Sequence, residues 1–97
     1  MMAKAASQRA ELKLPEVLDV GVAADLAAQL QALRGQAVTL DASEVRRVGG
    51  LSLQVLLSAR LTWATDAKPW RVTEPSPAFQ EALALYGATS LIASGNA

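Results

Sequence analysis

The chain predicts an α/β fold: a small mixed sheet of four or five strands packed with three or four helices. Three observations carry that prediction. Short runs that alternate apolar and polar residues are separated by long runs with helical spacing. Capping residues stand where those helical runs begin and end. The resulting order, β-β-α-β-α-β-α, is that of a layered α/β sandwich. Ninety-seven residues, 52% of them apolar, make one domain able to bury a core of its own.

Residues 1–9 read as a disordered lead, and residues 10–97 as the single domain. From Ala10, Leu12 and Leu14 alternate with Glu11 and Lys13, the period-2 pattern of a half-buried strand. Pro15 interrupts it, as proline does at an edge or a turn. Val17-Leu18 reads as a short second strand, forming a hairpin or one bent edge with the first. Asp19 is a helix N-cap and Gly35 a stop. Between them Val22, Leu26, Leu30 and Leu33 form an apolar stripe, with Asp25, Gln29 and Gln31 opposite. Arg34 in the last turn suits the helix dipole. Val38-Thr39-Leu40-Asp41 reads as an inner strand leading into the loop 42–50.

The run from Leu51 to Thr65 has no breaker and reads as a helix that ends at Asp66–Pro69. At about 100° per residue, Leu53, Leu56, Leu57, Leu61 and Ala64 share a face, assigned to the core. Leu51, Val55, Ser58 and Thr62 lie opposite, with Gln54 flanking; two aliphatic residues on the side facing water read either as scattered surface apolars or as a docking patch. In this phase Arg60 falls near the core face and must reach round the helix to water. Trp70–Thr73 is a further strand. Ser76 and Pro77 form a good N-cap and first helical position for a helix over residues 76–86, where Phe79, Ala82, Leu83 and Tyr86 recur at i, i+3, i+4 and i+7. Leu91-Ile92 adds a short strand or turn.

Composition narrows the chemistry. There is no cysteine and no histidine, which excludes thiolate nucleophiles, disulfides, Cys/His zinc sites and His-based triads. Nine basic and nine acidic residues balance, and the basic footprint of a nucleic-acid protein is missing. No apolar run approaches the ~18 residues of a membrane span, and the first ten residues hold no apolar core of a signal peptide. The expectation is a cytoplasmic protein without direct membrane insertion. Gly49-Gly50 before a helix offers backbone N–H groups to an anion, but no lysine follows in the phosphate-loop register; a tight strand-to-helix turn is the simpler reading. Asp41 and Glu44 have no partner base, so no catalytic dyad is expected, nor any metal or cofactor.

The segment Leu40–Leu56 resembles the central signature of STAS domains, the sulfate-transporter and anti-sigma-factor-antagonist modules. In the family an apolar strand ends in Asp-x-Ser, then come two spaced apolar positions and an Asp-Ser/Thr-Ser/Ala-Gly-Leu turn that opens a helix. Asp41 and Ser43 match the first part, Val45 and Val48 the apolar positions, and Leu53 the leucine after the glycine, without a gap. The Pro75–Phe79 segment resembles the start of the family's last helix, and the resemblance covers residues 10–92. Gly49 stands where the family has Asp. Gly50 stands at the phosphorylatable Ser/Thr, and Leu51-Ser52 replace the small residue and the glycine. Sliding Gly49-Gly50-Leu51 onto the family's Ser-Gly-Leu needs a two-residue deletion and loses the Asp.

The resemblance implies a non-catalytic signalling protein that binds a regulatory partner: a kinase-like anti-sigma factor, a histidine kinase or another chemotaxis or two-component protein of bacteria. Glycine has no hydroxyl, so the usual phosphorylation switch is not expected at position 50. The alternative is an accessory subunit of a membrane (lipid) transporter ATPase complex, which needs no such switch. In either case the partner-binding surface is expected at Asp41, Ser43, Gly49, Gly50, Leu51, Ser52, Gln54, Val55 and Ser58, with Ser52 unmodified.

Overall fold

Helix boundaries follow from their caps. In the computed structural model, which describes residues 9–92, Asp19 opens helix α1 (Val20–Ala32) and its carboxylate accepts from the Gly21 N–H at 2.9 Å. Ser76 opens α3 (Pro77–Leu85), with Pro77 in the first turn, and its Oγ accepts from the Phe79 N–H at 3.0 Å. The long helix α2 (Gly50–Thr65) starts without a side-chain cap at Gly49 and is followed by Asp66 and by Ala67, at φ 56°. Around them lie strands β1 (Arg9–Lys13), β2 (Val17–Leu18), β3 (Ala37–Asp41), β4 (Arg47–Val48) and β5 (Trp70–Thr73). A 3-10 turn at Thr89–Leu91 closes the described chain. The α/β class expected from the sequence is the class adopted; the 1–8 part of the expected disordered lead and the last five residues lie outside the described residues.

The strands make two parallel ladders. The larger has the order β1-β3-β5, with Ala10 opposite Val38 and Val38 opposite Trp70, so β3 is the inner strand as its β-branched run suggests. The smaller pairs β2 with β4, Leu18 opposite Val48. Every pairing among the described residues is parallel; the mixed sheet's antiparallel pair is not found among them. Two expectations are corrected here. The first two strands form neither a hairpin nor one bent edge: Leu14-Pro15-Glu16 carries the chain from one ladder to the other, and each strand finds its partner across a helix. The loop 42–50 is not loop throughout, because Arg46 and Arg47 donate their N–H groups to the Glu16 carbonyl at 2.7 and 3.2 Å, starting β4. The Leu91-Ile92 strand or turn is the 3-10 turn.

One core joins all layers. Leu26 and Leu30 of α1, Leu53 and Leu56 of α2, Val38 and Leu40 of β3, and Phe79 and Leu83 of α3 belong to a single buried cluster. Helices α1 and α2 pack against one another. Each fully buried Leu or Phe contributes roughly 1.5–3 kcal/mol relative to exposure. The phase of α2 differs from the expected one. Its inward face is Ser52, Leu53, Leu56 and Trp63, while Leu61 is 67% exposed and Ala64 is also exposed. Leu57 is half-buried. Trp63 turns the helix: its indole fills the core, donates Nε1–H to the Gln36 carbonyl at 2.7 Å and packs edge-on to Trp70 at 5.8 Å.

Candidate functional site

A groove of about 280 Å³ runs between α1 and α2. The α2 wall carries Leu51, Gln54, Val55, Ser58 and Thr62. The α1 wall carries Ala27, Leu30, Gln31 and Arg34. Four of the residues singled out in the sequence therefore meet in one depression. Leu51 is half-exposed at its mouth, whereas Val55 lies deeper and packs against the core, so it is not the surface residue that the sequence phase suggested. The α1 wall was missed in the sequence, although Ala27, Gln31 and Arg34 fall at i, i+4 and i+7 and mark a second face of that helix.

One end of the groove is locked by charge. Arg34 donates Nε–H to Asp66 Oδ2 at 2.8 Å and Nη2–H to Oδ1 at 3.1 Å, tying the end of α1 to the end of α2. The Arg34 hydrogen bond, seconded by its charge, holds the Asp66 carboxyl below the usual carboxylate range, against the opposing effect of burial. The same bond raises Arg34 above its ordinary value.

The start of α2 is where Gly49, Gly50 and Ser52 converge. The Gly49 N–H donates to the Leu18 carbonyl at 2.6 Å, and a Cβ at position 49 would stand 3.2 Å from that same oxygen, so the glycine permits a close approach of β2. Gly50 faces open space: a Cβ there meets nothing within 4 Å. Ser52 is the correction. Expected on the partner-binding surface, it is wholly buried, and its Oγ–H donates to the Asp19 carbonyl at 2.9 Å. The Ser-for-Gly replacement in the signature thus joins the starts of α1 and α2 and presents nothing to a partner.

Asp41 and Ser43 sit apart from the α1–α2 groove. Asp41 ends β3 and its Oδ1 accepts from the Ser43 N–H at 2.9 Å, an Asx turn that starts the loop. That backbone bond, with a second from the Ser43 side chain, lowers the Asp41 carboxyl; nearby Lys13 adds to it, and burial opposes it. Lys13 in turn pairs with Glu44 at 3.0 Å and is raised by that hydrogen bond. Ser43 is exposed and borders a separate cleft with Glu16, Glu44, Arg46 and the start of α3. Behind it Ser76 donates its Oγ–H to the Val45 carbonyl at 2.6 Å, holding the loop against α3.

No group of three or more carboxylates able to hold a metal ion occurs among the described residues, and no helix among them is long and apolar enough to cross a membrane. Neither a curated protein nor a solved structure matches the chain. STAS domains typically mediate protein–protein interactions and are generally non-enzymatic binding domains. A family model described as "Mlab, STAS domain" matches residues 1–93, and the chain belongs to the STAS domain family.

Proposed function

We propose that this STAS domain is a non-catalytic binding subunit that holds a protein partner constitutively, through the α1–α2 groove and the exposed start of α2, and that the partner is the ATPase of a membrane transporter. One observation carries the preference over a phosphorylation-switched signalling role. The head of α2 has no hydroxyl to modify: position 50 is glycine, and the Ser52 hydroxyl is wholly buried and already donating to Asp19. A partner held there is not released by a phosphate of roughly −2 charge. Leu51 at the mouth supplies the apolar anchor, worth roughly 1.5–3 kcal/mol on burial, and Gln54 and Ser58 supply a polar border.

A second reading keeps a regulatory kinase or other signalling protein as the partner. It is favoured by Ser43, an exposed hydroxyl at the end of the Asp-x-Ser signature.

Co-purification from the native cell, run in parallel with and without phosphatase treatment, separates the two. Recovery of a transporter ATPase subunit with the unphosphorylated parent, and a loss of at least tenfold with Leu51→Asp, equivalent to about 1.4 kcal/mol, supports the first reading. Recovery of a kinase, with peptide mapping of the untreated sample placing a phosphate on Ser43, supports the second and overturns the first. Leu51 is preferred to Val55 for this test, since Val55→Asp also disturbs packing.

A further inference from the structure

Helix α3 has a second face that the core does not use. Phe79 and Leu83 point inward. Ala78, Glu81, Ala82 and Leu85 recur at i, i+3, i+4 and i+7 and form a stripe on another side of the helix, bordering a depression against β4. Leu85 is 81% exposed, the most exposed large apolar residue described. Arg47 and Val48 of β4 form the facing wall. This depression shares no lining residue with the α1–α2 groove.

The charges on this face are the informative part. Arg46, beside it, is paired with Glu16 at 3.3 Å. Arg47 and Glu81 border the same depression, and neither lies within ion-pair distance of an opposite charge among the described residues. The face therefore carries one free cation, one free anion, a protruding leucine and a small-residue hollow able to receive a leucine. A partner of a single charge sign would satisfy only half of it. A two-fold related copy satisfies all of it, because an isologous contact places each patch against its own image.

We infer that the α3–β4 face is the interface of a homodimer. In it, Leu85 of one copy enters the Ala78/Ala82 hollow of the other, and Arg47 of each copy pairs with Glu81 of its mate, twice across the axis. The inference does not depend on what occupies the α1–α2 groove, which the dimer leaves open on both copies.

The test uses the full chain alone, by sedimentation equilibrium from about 10 μM to about 1 mM, a range that registers any Kd below roughly 1 mM. The parent is expected to pass from 10.1 kDa to twice that mass as concentration rises. Arg47→Glu and Glu81→Arg each create like-charge pairs across the axis, and each is expected to remain a monomer over the range. Their equimolar mixture restores both opposite-charge pairs and is expected to dimerise. Leu85→Asp is expected to abolish dimerisation, and Leu85→Ser to weaken it at least tenfold. Thermal melts of every variant confirm that loss of the dimer is not loss of the fold, and Arg47→Gln replaces any charge variant that fails to fold. A parent that stays monomeric throughout overturns the inference. So does a dimer that these substitutions leave intact, or a mixture of the two charge variants that remains monomeric.

Discussion

The Ser52 hydroxyl stands 2.9 Å from the Asp19 carbonyl and links the first turns of α1 and α2. The bond joins residues distant in sequence, and the serine that makes it has no exposed surface. Losing it leaves a buried pocket without its donor. Ser52→Ala is expected to cost about 1 kcal/mol, the usual net value of such a bond. Ser52→Asp buries a charge with no partner and is expected to cost several times more. Urea unfolding of the two variants checks the order; equal stability of Ser52→Asp and the parent would show that the head of α2 opens readily.

The Arg34–Asp66 pair gives stability a dependence on acid pH. Asp66 is held below the ordinary carboxylate value by Arg34, and Asp41 by Ser43. A carboxyl whose folded pKa is depressed binds its proton less readily in the folded chain than in the unfolded one. Its contribution is therefore complete above the unfolded value, near 3.9 for Asp, and is lost as pH falls through the lower folded value. The melting temperature is expected to fall below about pH 4, and Asp66→Asn is expected to flatten part of that fall while lowering stability at neutral pH. Melts of both proteins between pH 2 and pH 7 on the order of half a unit apart read the difference.

Ala67 and Glu74 occupy left-handed backbone, at φ 56° and 50°, where a side chain is strained. Ala67→Gly relieves that strain at the end of α2 and Glu74→Gly relieves it between β5 and α3. Each is expected to raise stability by up to about 1 kcal/mol, after the larger unfolded-state entropy of glycine is subtracted. Ala28→Gly, exposed in the interior of α1, is the opposite case and is expected to cost about 1 kcal/mol. Thermal melts of the three variants give the signs directly.

The corrected phase of α2 has its own test. Leu61→Lys changes an exposed position and is expected to alter stability by no more than about 0.5 kcal/mol. Trp63→Ala empties the core and removes the hydrogen bond to Gln36, an expected loss of about 3–5 kcal/mol. Urea titrations of both settle which face points inward; a large loss at Leu61 restores the phase read from leucine spacing alone.

That phase shows where the sequence was legible and where it was not. Asp19, Ser76 and Pro77 marked two helices closely, because caps act through local geometry that residue type alone reveals. In helix α2 the leucines at 53, 56, 57 and 61 share a face, and their spacing alone pointed that face inward and carried Leu61 with it, although Leu61 is exposed. The deciding residues were Trp63 and Ser52, a large ring and a hydroxyl whose partners, Gln36 and Asp19, lie far along the chain. Strand β4 is two residues long and shows no alternation; it exists because the Glu16 carbonyl is available to it. The α2 wall of the groove was visible as Leu51, Gln54, Val55 and Ser58, while the α1 wall became visible only once the two helices were side by side.

The position of β3 between two parallel neighbours bears on how the chain folds. Neither ladder can begin as a local hairpin, since each pairing waits for a whole helix to be formed and closed over. Non-local pairing of this kind slows folding relative to helical bundles of similar size. During synthesis β3 emerges with β1 already available, and its other edge stays open until Trp70–Thr73 has been made. In that interval an apolar inner strand, Val38 and Leu40 included, has one edge available to any other extended chain. The completion of β5 is therefore the step at which the apolar inner strand loses its open edge, leaving β1 and β5 as the outer strands of that ladder.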